Sequence, residues 1–231
     1  MEEAEHHRIA RRIAARYRRR WHRRYARGKL RFDPAYAATA RLLDGSDAPL
    51  LDVGCGIGLL GFYLREHGFR GSYRGVDFDT GKIGEARRIA HEHALGLAFE
   101  DGDANALPPF AGHVVLLDVL HYLRADDQQR LLREAAARVA PGAMLIARNV
   151  LREPGWRFRA TVLEERFLYA VRWMRSPALH FPTRAEIETP LREAGFAVDV
   201  EPLWGNTPFN SFVIAARRPA EAPSAAAARA S

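Results

Sequence analysis

Apolar runs alternate with amphipathic stretches through the middle of the chain, between residues 50 and 150. The segments with strand character are 50–53, 72–77, 97–100, 113–118 and 143–150. Segments in which apolar residues recur with helical period lie between them, over 58–67, 80–94 and 126–140. Strands that alternate with helices at this spacing predict a parallel sheet covered by helices on both faces.

A long polar segment with a narrow apolar stripe precedes this alternation. Residues 5–27 contain neither proline nor glycine, and they predict one helix that ends at Gly28. The apolar residues of this helix recur at every fourth position, namely Ile9, Ile13, Tyr17, Trp21 and Tyr25. A second, short helix is predicted over 34–43, because proline is favoured at the first position of a helix.

The pattern changes again after residue 150. Residues 152–182 are rich in aromatic side chains and arginine, and they predict a partly helical insertion. Thr183 and Glu186 have the spacing of a capping box, so the next helix is expected to begin there. The segments 196–203 and 209–217 predict two final strands in a hairpin-like pair.

These elements predict an α/β fold with a Rossmann-like, seven-stranded, mostly parallel sheet and flanking helices. We expect residues 1–46 to form a basic helical extension that acts as a lid. Residues 47–218 are expected to form the main domain, with 152–182 as its insertion. The tail 219–231 is rich in alanine, proline and serine, which predicts disorder.

The composition suits one domain of ordinary size, with 231 residues of which 48% are apolar. No run of about 18 apolar residues occurs, so no membrane span is expected. The first residues lack the apolar core of a secretory signal, which predicts a cytoplasmic protein. Cys55 is the single cysteine, which excludes an internal disulfide and a zinc cluster built from several thiolates.

The positive charge is concentrated in one segment. The net charge is +7, and residues 1–31 hold 12 basic and 3 acidic side chains, so the rest of the chain is close to neutral. Such a segment fits a lid over the ligand site, or a surface for RNA, an anionic membrane or an acidic partner such as an acyl carrier protein. A merely solvated helix is the remaining alternative.

A glycine loop carries the strongest chemical signal. The run from Asp52 to Gly58 reads Asp-Val-Gly-Cys-Gly-Ile-Gly, and it resembles the first motif of class I S-adenosylmethionine-dependent methyltransferases, Asp-x-Gly-x-Gly-x-Gly. The resemblance implies the fold of that family and S-adenosyl-L-methionine as cofactor. It also implies that the loop packs against the methionine part of the cofactor, with Asp52, Gly54, Cys55, Gly56 and Gly58 as binding residues.

A nicotinamide enzyme is the competing interpretation. The stretch from Gly56 to Gly61 also matches the dinucleotide pattern G-x-G-x-x-G, and Asp77 follows at about the spacing of a ribose-binding acid. Dehydrogenases of this length usually need a Tyr-x-x-x-Lys pair, which the chain lacks because its lysines are only Lys29 and Lys82. The acid at Asp52 also favours the methyltransferase.

The resemblance extends to the ends of the second, third and fourth strands. It implies that Asp77 binds the ribose hydroxyls, that Phe78 stacks beside adenine, and that Asp103 and Ala104 meet the adenine amino group. Asp118 follows the fourth strand and is assigned to the cofactor site as well. Ligands in open α/β sheets bind at this carboxyl edge.

Acceptor chemistry is expected on the same edge. His121 is the candidate general base because imidazole titrates near neutral pH; a histidine that only shapes the pocket is the alternative. The candidate acceptor-binding residues are Tyr122, Trp156, Arg157, Tyr169, Trp173 and His180. A small helical cap with its own core is the alternative for the insertion. We predict no metal site.

The predicted function is methyl transfer to a small, aromatic, carrier-bound or free acceptor, with O-methylation favoured. The segment 28–36 faintly resembles methyltransferases of bacterial aryl-polyene pigment pathways, which suggests the aromatic acceptor. An RNA-binding or cofactor-binding module of the same fold, without catalysis, is one alternative. An NAD(P)-dependent oxidoreductase is the other.

Overall fold

A computed structural model describes residues 2–104, 106–170, 178–205 and 207–220. The helices are α1 (Glu2–Ala15), α2 (Arg20–Phe32), α3 (Ala35–Leu42), α4 (Leu59–Glu66), α5 (Thr80–Glu92), α6 (Ala125–Ala137), α7 (Trp156–Ala170) and α8 (Arg184–Glu193). The strands are β1 (Leu50–Val53), β2 (Tyr73–Asp77), β3 (Leu97–Asp101), β4 (His113–Leu117), β5 (Met144–Val150), β6 (Ala197–Pro202) and β7 (Ser211–Arg217). A single 3₁₀ turn, Leu120–Tyr122, follows β4.

The strands form one sheet of seven in the order β3-β2-β1-β4-β5-β7-β6. All neighbouring pairs from β3 to β5 are parallel, and β7 runs antiparallel to both β5 and β6. This confirms the predicted α/β fold, including the final antiparallel pair. The strand order reverses between β1 and β4, so the carboxyl ends of these two strands flank the crevice in which such sheets bind ligands.

Helices cover both faces of the sheet. On one face, α1 to α5 pack around a core that contains Tyr17, Phe62 and Tyr63, all at most 1% exposed. On the other face, α6 and α8 bury Leu132 and Leu191 against β4, β5 and β7. The N-terminal helices therefore share a core with the glycine-loop half of the sheet.

The prediction of one helix over 5–27 is wrong. The chain forms α1 and α2 with a break at residues 16–19, and Gly28 lies inside α2 instead of ending it. The break is fixed by Tyr17, whose hydroxyl donates to the carbonyl of Ile57 at 2.8 Å and whose own carbonyl accepts from Arg23. The Tyr17 carbonyl thus accepts from a side chain instead of continuing the helix, while the bond to Ile57 fixes the Tyr17 ring against the glycine loop.

The C-terminal half largely follows the predicted pattern. Helix α7 lies within the predicted insertion, and Thr183 caps α8 in a complete capping box with Glu186. Trp173 and residues 221–231 of the predicted tail lie outside the described residues, as does the side chain of Tyr169. Within the described ranges, no helix is long and apolar enough to cross a membrane.

Candidate functional site

The glycine loop joins β1 to α4 and is tied to the end of β2. The backbone N–H groups of Gly54 and Cys55 both donate to the carbonyl of Val76, at 2.8 and 3.1 Å. A Cβ at Gly54 would lie 2.5 Å from the Val119 side chain, and one at Gly58 would lie 2.8 Å from the Phe99 ring. Packing within the protein therefore excludes larger residues at both positions.

Gly56 is glycine for a different reason. Its φ of +55° lies in the left-handed region, and a Cβ there would meet only the Lys82 side chain, at 4.0 Å. The middle of the loop therefore faces open space beside the strand ends. A ligand can approach the backbone at Gly56 without meeting a side chain from the loop itself, as the sequence motif requires.

Asp77 ends β2 beside this opening, and its carboxylate is held by two backbone donors. The N–H of Gly56 donates to Oδ2 and the N–H of Asp79 donates to Oδ1, both at 2.9 Å. Because a carboxylate oxygen has two acceptor sites, each oxygen can still accept one bond from a ligand hydroxyl. The geometry thus presents a fixed pair of acceptors at the sheet edge.

The two candidate adenine-binding regions lie on the neighbouring strand ends. Phe78 is 73% exposed, and the Lys82 ammonium lies 6.0 Å from the centre of its ring. Asp103 is exposed and Ala104 half-buried in the loop after β3. The N–H of Gly102 in this loop donates to the carbonyl of Asp77, so the loop is fastened directly to the ribose-binding candidate.

Asp52 and Cys55 are buried beneath the loop. The Asp52 carboxylate accepts a hydrogen bond of 2.5 Å from the Tyr73 hydroxyl and is 2% exposed. Burial raises the pKa of Asp52 to about 7, with a further rise from Asp77, although the bond from Tyr73 acts in the opposite direction. Burial likewise raises the pKa of the Cys55 thiol. Both side chains support the loop from within the core.

Asp118 is the centre of a cluster of four charges at the ends of β4 and β5. Its Oδ2 accepts from the Lys29 ammonium at 3.0 Å, and its Oδ1 accepts from the Arg148 guanidinium. Lys29 also pairs with Asp33 at 2.5 Å, and Arg148 lies 3.9 Å from Asp33. Both carboxylate oxygens of Asp118 are therefore engaged by cations from other elements.

The charge cluster controls the ionisation of Asp33. Burial raises the pKa of this carboxyl, but Arg148 and Lys29 outweigh burial and lower it to about 2. Asp118 adopts a φ of +60°, which is uncommon for a residue with a side chain. Such backbone conformations concentrate at functional sites, where the surrounding contacts hold them in place.

Two contacts bring the N-terminal helices onto the site. Lys29 reaches Asp118 from α2, and the Tyr17 hydroxyl binds Ile57 in the glycine loop. Arg12 and Arg16 additionally pair with Glu66 at the end of α4. The helices are thus fastened to both sides of the crevice between β1 and β4.

His121 lies in the 3₁₀ turn after β4 and is 2% exposed. Its Nδ1 is 3.0 Å from the side-chain oxygen of Asn149. Asn149 uses its amide nitrogen to donate to the carbonyl of Val150, so its oxygen faces the imidazole. The proton of a neutral imidazole therefore lies on Nδ1, and Nε2 is its acceptor nitrogen.

The candidate acceptor residues fall into two groups. Tyr122 packs on His121 with ring centres 4.2 Å apart, next to the turn. Trp156 and Arg157 form a second group in which the Arg157 guanidinium lies 4.7 Å from the Trp156 ring and 4.6 Å from the Trp204 ring.

His180 has its backbone and its side chain directed to different partners. Its N–H donates to the carbonyl of His121, which brings the end of the insertion next to the 3₁₀ turn. Its Nε2 lies 3.4 Å from Glu186 at the start of α8. The side chain is therefore paired with the cap of that helix.

Several residues of the site were not singled out from the sequence. Arg148 belongs to the charge cluster and Asn149 orients His121, yet no local motif marks either residue. Lys29 lies in a segment that was expected to close on the cofactor, but its partner is 89 positions away. Only the folded sheet brings these pairs together.

Comparison with known proteins matches this architecture. Residues 50–142 match the family described as "Methyltransferase domain". The chain is 35% identical over 122 residues to the ribosomal RNA small subunit methyltransferase C of Chromohalobacter salexigens, covering 49% of this chain and 35% of the relative. It is 31% identical over 104 residues to the ubiquinone biosynthesis O-methyltransferase of Coxiella burnetii, covering 45% of this chain and 44% of the relative.

A solved structure resembles most of the fold. Magnesium protoporphyrin IX methyltransferase from Synechocystis PCC 6803, with S-adenosylhomocysteine (SAH) bound, superposes with a TM-score of 0.63 at 21% identity, covering 79% of this chain and 81% of that one. The chain spans less than half of the length of the two curated relatives. These matches confirm the resemblance to class I methyltransferases and favour it over the nicotinamide interpretation; the aryl-polyene resemblance stays a prediction.

Proposed function

We propose that this chain is an S-adenosylmethionine-dependent methyltransferase that transfers a methyl group to an oxygen of a small aromatic acceptor; the match of residues 50–142 to a methyltransferase domain supports the reaction class. One observation carries the proposal: the Asp77 carboxylate is fixed by the N–H of Gly56 at the open middle of the glycine loop. The carboxylate therefore lies beside a stretch of backbone that carries no side chain. This arrangement suits a ligand that has two ribose hydroxyls and a compact charged chain.

The described residues fit the cofactor along one edge of the sheet. Asp77 would accept the ribose hydroxyls, and Phe78 offers an exposed ring for the adenine. Asp103 and Ala104 border the same position, while Gly54, Gly56 and Gly58 give the methionine part a backbone surface. When bound, S-adenosylmethionine supplies an activated methyl group on a sulfonium, so the protein mainly has to position the acceptor in line.

Asp118 acts in this proposal by fixing the edge of the cofactor site. Its carboxylate holds Lys29 of α2 while its left-handed backbone directs the chain into the 3₁₀ turn. In this proposal the N-terminal helices act as a lid over the crevice, which is the role predicted for residues 1–46. Asp52 and Cys55 contribute by supporting the glycine loop from the core.

His121 is the candidate that removes a proton from the acceptor. The Asn149 side-chain oxygen accepts a hydrogen bond from Nδ1–H, so Nε2 is the ring nitrogen that would take the proton of an acceptor hydroxyl. The stacked Phe181, with its ring centre 6.0 Å away, keeps the imidazole in one orientation. A phenolic hydroxyl needs such a base near neutral pH, since its ordinary pKa is about 10.

The acceptor would lie between the 3₁₀ turn and the insertion. Tyr122 borders His121, and Trp156 with Arg157 provides an aromatic and cationic surface on α7. This combination suits a planar acceptor, either free or attached to a carrier. The match to a ubiquinone biosynthesis O-methyltransferase supports an oxygen as the atom that receives the methyl group. A cytoplasmic setting is part of the proposal.

A thermal-shift experiment with S-adenosylmethionine, SAH and NADH tests the cofactor. A ligand at about 100 times its Kd stabilises by about 2.7 kcal/mol, which raises the Tm of a domain of this size by about 5–10 °C. We expect that shift with both adenosyl ligands and none with NADH. A shift with NADH alone would restore the oxidoreductase alternative.

A radiolabel assay tests the acceptor class. Transfer of a tritiated methyl group to a panel of catechols and hydroxybenzoic acids is expected, with no transfer to total RNA. Methylation of the RNA instead would favour the function named for the Chromohalobacter relative. Cofactor binding without transfer to either would leave the non-catalytic binding module as the function.

A further inference from the structure

The outer face of α2 carries a stripe of four arginines. At about 100° and 1.5 Å per residue, Arg20, Arg24, Arg27 and Arg31 fall within an arc of about 60° and extend over about 16 Å. All four side chains belong to exposed residues. The buried residues of the helix, Ala26 and Leu30, lie on another side, so the arginine stripe faces solvent.

The four arginines of the stripe lack acidic partners among the described residues. Helix α2 contains no aspartate or glutamate. In the part of the chain that the structure describes, none of the four lies within 4.0 Å of a carboxylate, whereas Arg12, Arg16 and Arg88 all do. Four neighbouring positive charges therefore repel one another, which an anionic surface would relieve.

An aromatic stripe runs beside the arginine stripe. Trp21, Tyr25 and Phe32 lie within an arc of about 40°, roughly 110° around the helix from the arginines. Their residues are 46%, 38% and 65% exposed. Large aromatic side chains next to arginines, on one side of a helix whose opposite side is buried, form the pattern of an interfacial helix.

The aromatic stripe also lies close to the proposed active site. Lys29 follows it around α2 and binds Asp118 at the end of β4. Pro34, two residues after Phe32, is 3.6 Å from the position of a Cβ at Gly205, next to Trp204. Trp204 in turn stacks on Arg157 beside the exposed Trp156. The helix thus borders the mouth through which an acceptor would enter.

We propose that the outer face of α2 binds an anionic phospholipid membrane. The arginine stripe would contact lipid phosphates, while the aromatic stripe would enter the headgroup layer, where tryptophan and tyrosine are favoured. A polynucleotide is the weaker fit, because single strands are usually held in a basic groove and this surface is one helix face. The proposal goes beyond methyl transfer and stands independently of it.

Vesicle co-sedimentation of the full chain tests the proposal. We expect binding to phosphatidylcholine vesicles that contain 30% phosphatidylglycerol and no binding to pure phosphatidylcholine. Each arginine at an anionic surface contributes about a fivefold factor, so Arg24→Gln/Arg27→Gln should weaken binding about 30-fold. The binding constant should also fall steeply as salt is raised.

A matched variant separates this surface from general basicity. Arg184→Gln/Arg192→Gln removes the same charge from α8, where both arginines are exposed and pair with Glu188. We expect this variant to bind anionic vesicles like the unaltered protein. Equal weakening by the two double variants would overturn the proposal, because it would show attraction by net charge alone.

The insertion of the aromatic stripe into the membrane can be measured separately from vesicle binding. Brominated lipids quench tryptophan fluorescence on contact, so anionic vesicles that contain them should quench the unaltered protein. Trp21→Phe should reduce this quenching while keeping vesicle binding within about threefold, since phenylalanine is also apolar. Unchanged quenching, or binding to a 30-nucleotide RNA in preference to vesicles, would contradict the proposal.

Discussion

The Lys29 ammonium lies 3.0 Å from Oδ2 of Asp118, and this ion pair joins α2 to the end of β4. Both partners are about a quarter exposed, so the pair is expected to contribute little to the free energy of unfolding. The pair matters for the position of the turn that carries His121, because Asp118 directs the chain from the sheet into that turn. The pair links the proposed lid to the proposed catalytic turn.

Replacing Lys29 tests this link. Lys29→Met should lower the free energy of unfolding by only about 1–3 kcal/mol, because the buried Asp33 also loses a cation but keeps Arg148 nearby. Amide hydrogen exchange in α2 should nevertheless become faster, and SAH should dissociate faster. Arg130→Met removes an exposed ion pair with Asp127 on α6 and serves as the control; equal effects of the two changes would remove the case for a lid.

Asp77 and Asp79 allow a matched comparison two residues apart. Asp77→Ala should weaken SAH binding at least 100-fold in titration calorimetry, because both proposed ribose acceptors are lost. Asp79 caps α5 by accepting from Gly81 and Lys82, so Asp79→Ala should cost about 1 kcal/mol of stability with little loss of SAH affinity. Unchanged affinity in Asp77→Ala would remove the ribose assignment.

Gly56 and Gly58 of the loop should respond differently to alanine. Gly56→Ala is expected to weaken SAH binding at least tenfold with about 1 kcal/mol of destabilisation, since its cost is mainly the positive φ. Gly58→Ala should destabilise more, because the new Cβ would meet the Phe99 ring. Denaturant melts and SAH titrations check both. If the two variants lost stability equally, the distinction drawn between open and packed glycines would be wrong.

His121 and Asn149 should act as a pair. His121→Ala should lower kcat by about 10²–10⁴ while the SAH Kd stays within threefold. Asn149→Leu should lower kcat less and shift the acid limb of the kcat profile with pH, because the imidazole loses the acceptor for its Nδ1 proton. An unaltered kcat in His121→Ala would return the histidine to a packing role.

Asp52 should make stability depend on pH. Its pKa is raised to about 7 in the fold, while an unfolded aspartyl group titrates near 3.9. The folded state therefore binds more protons between these values, and stability falls by about 1.4 kcal/mol per pH unit as pH rises toward 7. Asp52→Asn should flatten that part of the pH dependence. Parallel curves of denaturation midpoint against pH for the two proteins would contradict this account.

Local patterns predicted the sheet well because each strand and helix carries its own periodicity. The capping box at Thr183 and the glycine loop at Gly54 are likewise complete within a few residues. The break between α1 and α2 escaped prediction because its causes, such as the bond from Tyr17 to Ile57, join distant segments. The regular spacing of the apolar residues also gave no sign that they face the core up to Tyr17 but face solvent from Trp21 onward.

Some residues of the candidate site could likewise be predicted from local sequence, and others could not. Asp77, Phe78 and the loop glycines could be predicted as candidates because a short motif and a fixed spacing mark them. The partners of Asp118 and His121 were not, since an ion pair or a bond to Asn149 leaves no trace in the neighbouring sequence. Tertiary contacts, more than residue type, decide how those two side chains are oriented.

The core shared by the N-terminal helices and the sheet has a consequence for how the chain folds. Ile13 and Tyr17 are fully buried among residues of α4, so the region matched by the methyltransferase family is not closed by itself. A fragment that starts at residue 47 would expose this apolar surface to water and tend to associate. In the full chain, the N-terminal helices and the matched region are therefore expected to melt in a single cooperative transition, as one thermodynamic unit.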